Sequence, residues 1–124
     1  MYREIRMKLA NGTERTFGFL AMGSTQYRYK QLFKEDLMKS ITKLVNRDRD
    51  DIGDTADFSV TDKLAFVMNC QAEKRDMNHQ NFDTFLEWVD QFDASELFDH
   101  LGDFIDIYLG NKESTSEPKK EEEL

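Results

Sequence analysis

The chain opens on alternation. From Tyr2 to Leu9, Ile5, Met7 and Leu9 fall on one side and Glu4, Arg6 and Lys8 on the other; Asn11-Gly12 follows, and Thr13 to Leu20 then carries Phe17 and Phe19 on one side. A period of two belongs to a strand with one buried face, and Asn-Gly accepts the left-handed backbone of a tight reversal, so these runs predict a β-hairpin. A lone hairpin is marginal in water, so its apolar face must be covered by helices or by another chain. After Gly23 the period becomes helical. Ser24 or Thr25 can cap, Tyr29, Leu32 and Phe33 stand at i, i+3 and i+4, and Leu37, Met38 and Ile41 repeat the stripe further on, with Arg28, Lys30 and Lys34 between. This spacing predicts a helical hairpin or a bent helix over Ser24 to Ile41.

Asn46 to Phe58 is polar and acidic and reads as a surface loop. Ser59 or Thr61 caps a third helical region, roughly Val60 to Lys74, with Val60, Leu64, Val67 and Met68 on one face. Arg75 to Gln80 reads as a connection. Asn81 caps a short helix whose stripe is Phe82, Phe85, Leu86, Val89 and Phe92, with Trp88 at its margin. Asp93 or Ser95 starts a last helix through Leu97, Leu101, Phe104, Ile105 and Tyr108, closed by Gly110-Asn111. The predicted fold class is therefore α+β, mainly α, with an N-terminal β-hairpin and about five helices in one domain over residues 1–110. Its expected core is Phe17, Phe33, Leu37, Leu64, Val67, Phe85, Leu86, Val89, Leu101 and Ile105. From Asn111 the sequence NKESTSEPKKEEEL has almost nothing to bury, which predicts a disordered charged tail over residues 111–124.

Composition narrows the function. A chain of 124 residues can bury a core without staples, and 39% hydrophobic with 34% charged residues describes a folded, soluble protein. The net charge of −8 opposes unspecific attraction to nucleic acid. No apolar run approaches the ~18 residues of a membrane span, and Met1 leads into YREIRMKL rather than a signal-peptide core, so a cytoplasmic location is expected. The lone Cys70, inside KLAFVMNCQA, reads as a small buried hydrophobe. Asp48-x-Asp50-x-x-Gly53 echoes the first half of a calcium loop, but Ile52 and Ser59 occupy the fifth and twelfth positions, where ligands are needed. His79 and His100 are far apart and neither lies near a cysteine, and no phosphate-cradling glycine loop is present. The chain reads as non-catalytic, with no metal and no cofactor.

One set of residues points further. Tyr29-x-x-Leu32-Phe33-x-x-Asp36-Leu37-Met38, after a short hairpin, resembles the early helices of the tail assembly chaperones of long-tailed bacteriophages, which read RYRQLFGKDLL; Lys34 stands in place of the glycine. Phe85-Leu86-Glu87-Trp88 resembles the phenylalanine-leucine-x-tryptophan segment late in that family's domain. The resemblance implies a protein of the bacterial host cytoplasm that binds the tape-measure protein, keeps it soluble, and recruits tail-tube subunits through a longer, frameshifted form. Tyr27, Tyr29 and Trp88, aromatics at the margins of their stripes or beside them, are the expected partner-binding residues. Open hairpin edges suggest a homo-oligomer. Two other readings stay open: a virion adaptor or neck protein, and a metal-dependent hydrolase using the Asp48–Asp57 loop.

Overall fold

The computed structural model describes residues 1–45 and 58–110; the acidic loop up to residue 57, with most of its calcium-like stretch, and the charged tail from residue 111 lie outside them. The hairpin is formed by β1 (Tyr2–Lys8) and β2 (Glu14–Leu20), followed by α1 (Thr25–Phe33), α2 (Leu37–Val45), α3 (Ser59–Ala72), a 3-10 turn (Met77–His79), α4 (Phe82–Asp90), α5 (Glu96–Asp99) and α6 (Leu101–Leu109). The fold is mixed and mostly helical, with the hairpin at its N-terminus. The strands are antiparallel, with Ile5 opposite Phe17 and Met7 opposite Arg15. Gly12 takes the left-handed backbone that the reversal requires, at φ +92°.

In this register the backbone groups of Gly18 and Leu20 point away from β1, because the hydrogen-bonded pairs fall at Ile5–Phe17 and at Met1–Ala21. Helix α3 lies against β2. Its Asn69 Nδ2 donates to the Gly18 carbonyl at 2.8 Å and its Gln71 Nε2 donates to the Leu20 carbonyl at 2.7 Å, so a helix closes the edge that a strand would otherwise seek. The β1 edge is closed at one end. Lys8 N–H donates to Glu96 Oε2 at 3.0 Å, Asp93 N–H to the Lys8 carbonyl at 3.1 Å and Ala10 N–H to the Gln91 carbonyl at 2.9 Å. Among the described residues, nothing covers the Tyr2 to Arg6 stretch of β1 in this way.

Ten of the fourteen residues of α3 are buried, so it is a central helix wrapped on all sides and not the one-faced helix of the sequence pattern. Ala65, Phe66 and Cys70 join the expected stripe in the core. Around it, α1 and α2 form the predicted bent pair. The bend is at Lys34, whose backbone is left-handed at φ 61° and whose N–H donates to the Lys30 carbonyl at 2.8 Å. A side-chain-bearing residue in that conformation costs roughly 1–2 kcal/mol, which explains why glycine suits the position. Glu35, next in the chain, accepts from Tyr29 Oη at 3.0 Å and Lys63 Nζ at 2.9 Å, pinning the bend to α3.

The expected last helix divides at His100 into α5 and α6. His100 places Nδ1 2.9 Å from Asp103 Oδ2 and Nε2 3.0 Å from Glu96 Oε2, while Arg3 donates to Asp103 Oδ1 at 2.8 Å. This polar cluster holds both short helices to the hairpin. Of the expected core, Phe17, Leu37, Leu64, Val67, Phe85 and Ile105 are buried, and Phe33, Val89 and Leu101 pack half-buried against them. Leu86 is a correction: it is exposed. Helix α4 is rotated so that Phe85 and Trp88 point inward, with Phe92 buried just beyond its end, because Trp88 packs edge-on against Phe66 and Phe92 and its indole N–H finds a buried acceptor. Burying the largest side chain outweighs hiding a leucine.

Candidate functional site

Behind the surface lies a polar seam. Asn69, fully buried, accepts on Oδ1 from Trp88 Nε1 at 2.9 Å and Arg75 Nη2 at 2.7 Å, and donates on Nδ2 to Gly18 and to Glu73 Oε2 at 3.0 Å. Gln71 donates to Thr25 Oγ1 at 2.9 Å and accepts from Arg28 Nη1 at 3.1 Å; Thr25 Oγ1 also accepts the Met22 N–H at 2.8 Å. Each buried amide is satisfied, which an interior of low polarity demands. The seam fixes the positions of Arg28 and Arg75. Beside Arg75, burial raises the Cys70 thiol above its ordinary value, and the Arg75 guanidinium partly offsets this.

Two surface features are built on this scaffold. One is a groove of about 620 Å³ between α1 and the segment leaving α3, with Leu20, Met22 and Met77 among its apolar lining and Arg28, Lys74 and Arg75 among its polar lining. It continues past Arg28 and Met77 toward Lys34 and Gln80. The other is an aromatic strip. Phe82 and Leu86, one turn apart on the outward face of α4, are 53% and 41% exposed. Phe82 packs against Phe85 with tilted rings and centroids 5.6 Å apart, and Phe85 meets the half-buried Phe33 edge-on at 5.1 Å. The strip thus runs from α4 to the end of α1.

The three expected partner-binding residues separate. Tyr27 is on the surface at 68% exposure, whereas Tyr29 is fully buried with its ring against Phe33, and Trp88 is buried on the Asn69 side of α4. Tyr29 is enclosed in the core, and Trp88 offers only an edge to a surface depression lined also by Thr84, Glu87 and Gln91, so a charge placed at either position is expected to cost the fold as well as any contact. Sequence reading missed Phe82 and Leu86 because both fit the apolar stripe that was expected to face inward. Among the described residues no group of three or more histidine, cysteine, aspartate or glutamate side chains is placed to hold a metal ion, and no helix there is long and apolar enough to cross a membrane.

Comparison with protein-family models, with curated proteins and with solved structures finds no match. Neither feature presents a nucleophile beside a base. What they offer is apolar area and positive charge on a protein of net charge −8, the means of a binding surface.

Proposed function

We propose that the chain is a non-catalytic assembly chaperone of the long-tailed bacteriophage type, which binds the tape-measure protein in the host cytoplasm and helps recruit tail-tube subunits. The observation that carries the reading is the exposed Phe82–Leu86 strip backed by Phe85 and Phe33. Both segments that resemble the family meet there: the Tyr29 to Met38 segment supplies Phe33, and Phe85-Leu86-Glu87-Trp88 supplies Leu86. Between them the resembling residues serve fold and surface alike, since Tyr29, Leu37 and Trp88 are core.

The work of such a protein is reversible burial. Covering the exposed parts of one phenylalanine and one leucine supplies roughly 1–3 kcal/mol, far short of tight binding by one copy. Many copies along a long helical partner would hold it through avidity and still leave as assembly proceeds. The net charge of −8 keeps the loaded complex soluble. The test is co-expression with a tape-measure protein from the same genome. The native chain raises its soluble yield, and the double variant Phe82→Asp with Leu86→Asp, which alters exposed side chains only, does not. A variant that rescues as well as the native chain removes the strip from the contact, and a native chain without effect removes the chaperone reading.

A further inference from the structure

We infer that the groove beside α1 is a docking site for a protein segment bearing carboxylates and aliphatic side chains. It is distinct in chemistry from the aromatic strip and does not depend on which protein that strip binds. Arg28, Lys34, Lys74 and Arg75 border it, with Asp76 the one carboxylate in its lining among the described residues. Of the cations only Arg75 forms an ion pair among the described residues, with Glu73. Arg28 is held by neutral partners, the Gln71 carbonyl oxygen at 3.1 Å and Met22 Sδ at 3.8 Å. A fixed guanidinium that meets no carboxylate among the described residues, at the wall of a groove on an acidic protein, calls for an anionic occupant.

Backbone geometry sharpens this. Lys34 and Lys74 are the two non-glycine residues with positive φ among the described residues, at 61° and 59°. Each follows a helix end, where glycine would be unstrained. A lysine near a helix C-terminus gains from the dipole, which accounts for part of the preference. Together, however, they place two side-chain charges along the groove that glycine would not supply.

The apolar lining decides among anions. Leu20, Met22 and Met77 supply aliphatic surface, and methionine adapts to irregular partners, so the occupant has hydrophobic side chains as well as charge. Along the groove α3 presents its C-terminal end and α1 its side, from Met22 before its first turn to Lys34 after its last, whereas a phosphate seat uses the amides of an N-terminus. The net charge of −8 repels any polyanion, most strongly a polynucleotide with a charge on every nucleotide and far less a peptide that carries only a few carboxylates opposite the groove's cations. An amphipathic polypeptide with a few carboxylates fits the charge, the apolar lining and the helix ends together.

The experiment is fluorescence anisotropy on the full chain with two labelled synthetic peptides of identical leucine spacing, one carrying glutamate and the other glutamine at the intervening positions. The glutamate peptide binds saturably, more weakly as salt is raised, and the glutamine peptide binds at least about tenfold more weakly. Lys34→Glu with Lys74→Glu, which preserves chain direction and side-chain bulk at two exposed positions, lowers affinity for the glutamate peptide by a further tenfold or more. Lys39→Glu with Lys43→Glu, the same charge change on α2, has a much smaller effect, and circular dichroism verifies that both variants are folded. Equal binding of the two peptides, no saturable binding, equal losses in the two double variants, or displacement of the peptide by inorganic phosphate or a DNA oligonucleotide at comparable concentration overturns the inference.

Discussion

Replacing Asn69 by leucine tests the polar seam on which the fold and both surface features rest. The side chains are close in volume, so the change is chiefly one of chemistry. It strips the acceptor from the buried Trp88 indole N–H and the donor from the Gly18 carbonyl, and removes one contact from Arg75, which keeps Glu73. Two buried groups left unpaired cost ~1–3 kcal/mol each, and the leucine regains some of that by its own burial, so the net loss is about 2–4 kcal/mol. At the size of this domain that lowers the melting temperature by roughly 10 °C or more. Urea unfolding followed by circular dichroism measures it, and a double-mutant cycle with Trp88→Phe isolates the indole bond, for which about 1 kcal/mol or more of coupling is expected. An Asn69→Leu protein within ~0.5 kcal/mol of the native chain, or a cycle with no coupling, would refute the seam as the organising contact.

Two further outcomes follow from single residues. Lys34→Gly relieves the left-handed backbone at the α1–α2 bend and raises stability by about 1 kcal/mol, read as a higher urea midpoint at unchanged slope. A lower midpoint would mean that the lysine side chain contributes more than its strain. Because burial raises the Cys70 thiol in the folded state, the unfolded chain loses that proton first, near pH 8.5. The stability it contributes is complete below that pH and declines as pH rises toward the folded value. Urea midpoints of the native chain should therefore fall more steeply above pH 8.5 than those of Cys70→Ala, and parallel curves would show the thiol to be ionised equally in both states.

The hairpin was legible because its signals are local: alternation in Ile5, Met7, Phe17 and Phe19, and Asn-Gly between. The break between α1 and α2 was legible for the same reason, as two stripes with polar residues between them. What failed to read was rotation. An apolar stripe on α4 is wide enough to seat either Leu86 or Trp88 inside, and the choice is made by Asn69, nineteen positions away on another helix. Asn69 and Gln71 themselves, two polar residues beside Cys70 in an apolar run, were the visible sign that α3 buries hydrogen-bonding groups. Their partners, Gly18, Leu20 and Thr25, lie beyond any local pattern. The groove was illegible for a similar reason, since Arg28, Lys34 and the Lys74-Arg75 pair come from separate segments and gather only when α1 packs beside the end of α3.

The measurement that reaches the central claim most directly is light scattering on a size-exclusion column of the chain co-expressed with a tape-measure protein from its own genome. The account predicts one soluble species whose mass corresponds to several copies of the chain on one partner, and its loss when Phe82 and Leu86 are both changed to aspartate in a domain that melts as the native one does. A native chain that elutes alone, with the partner insoluble or soluble only on its own, would contradict it.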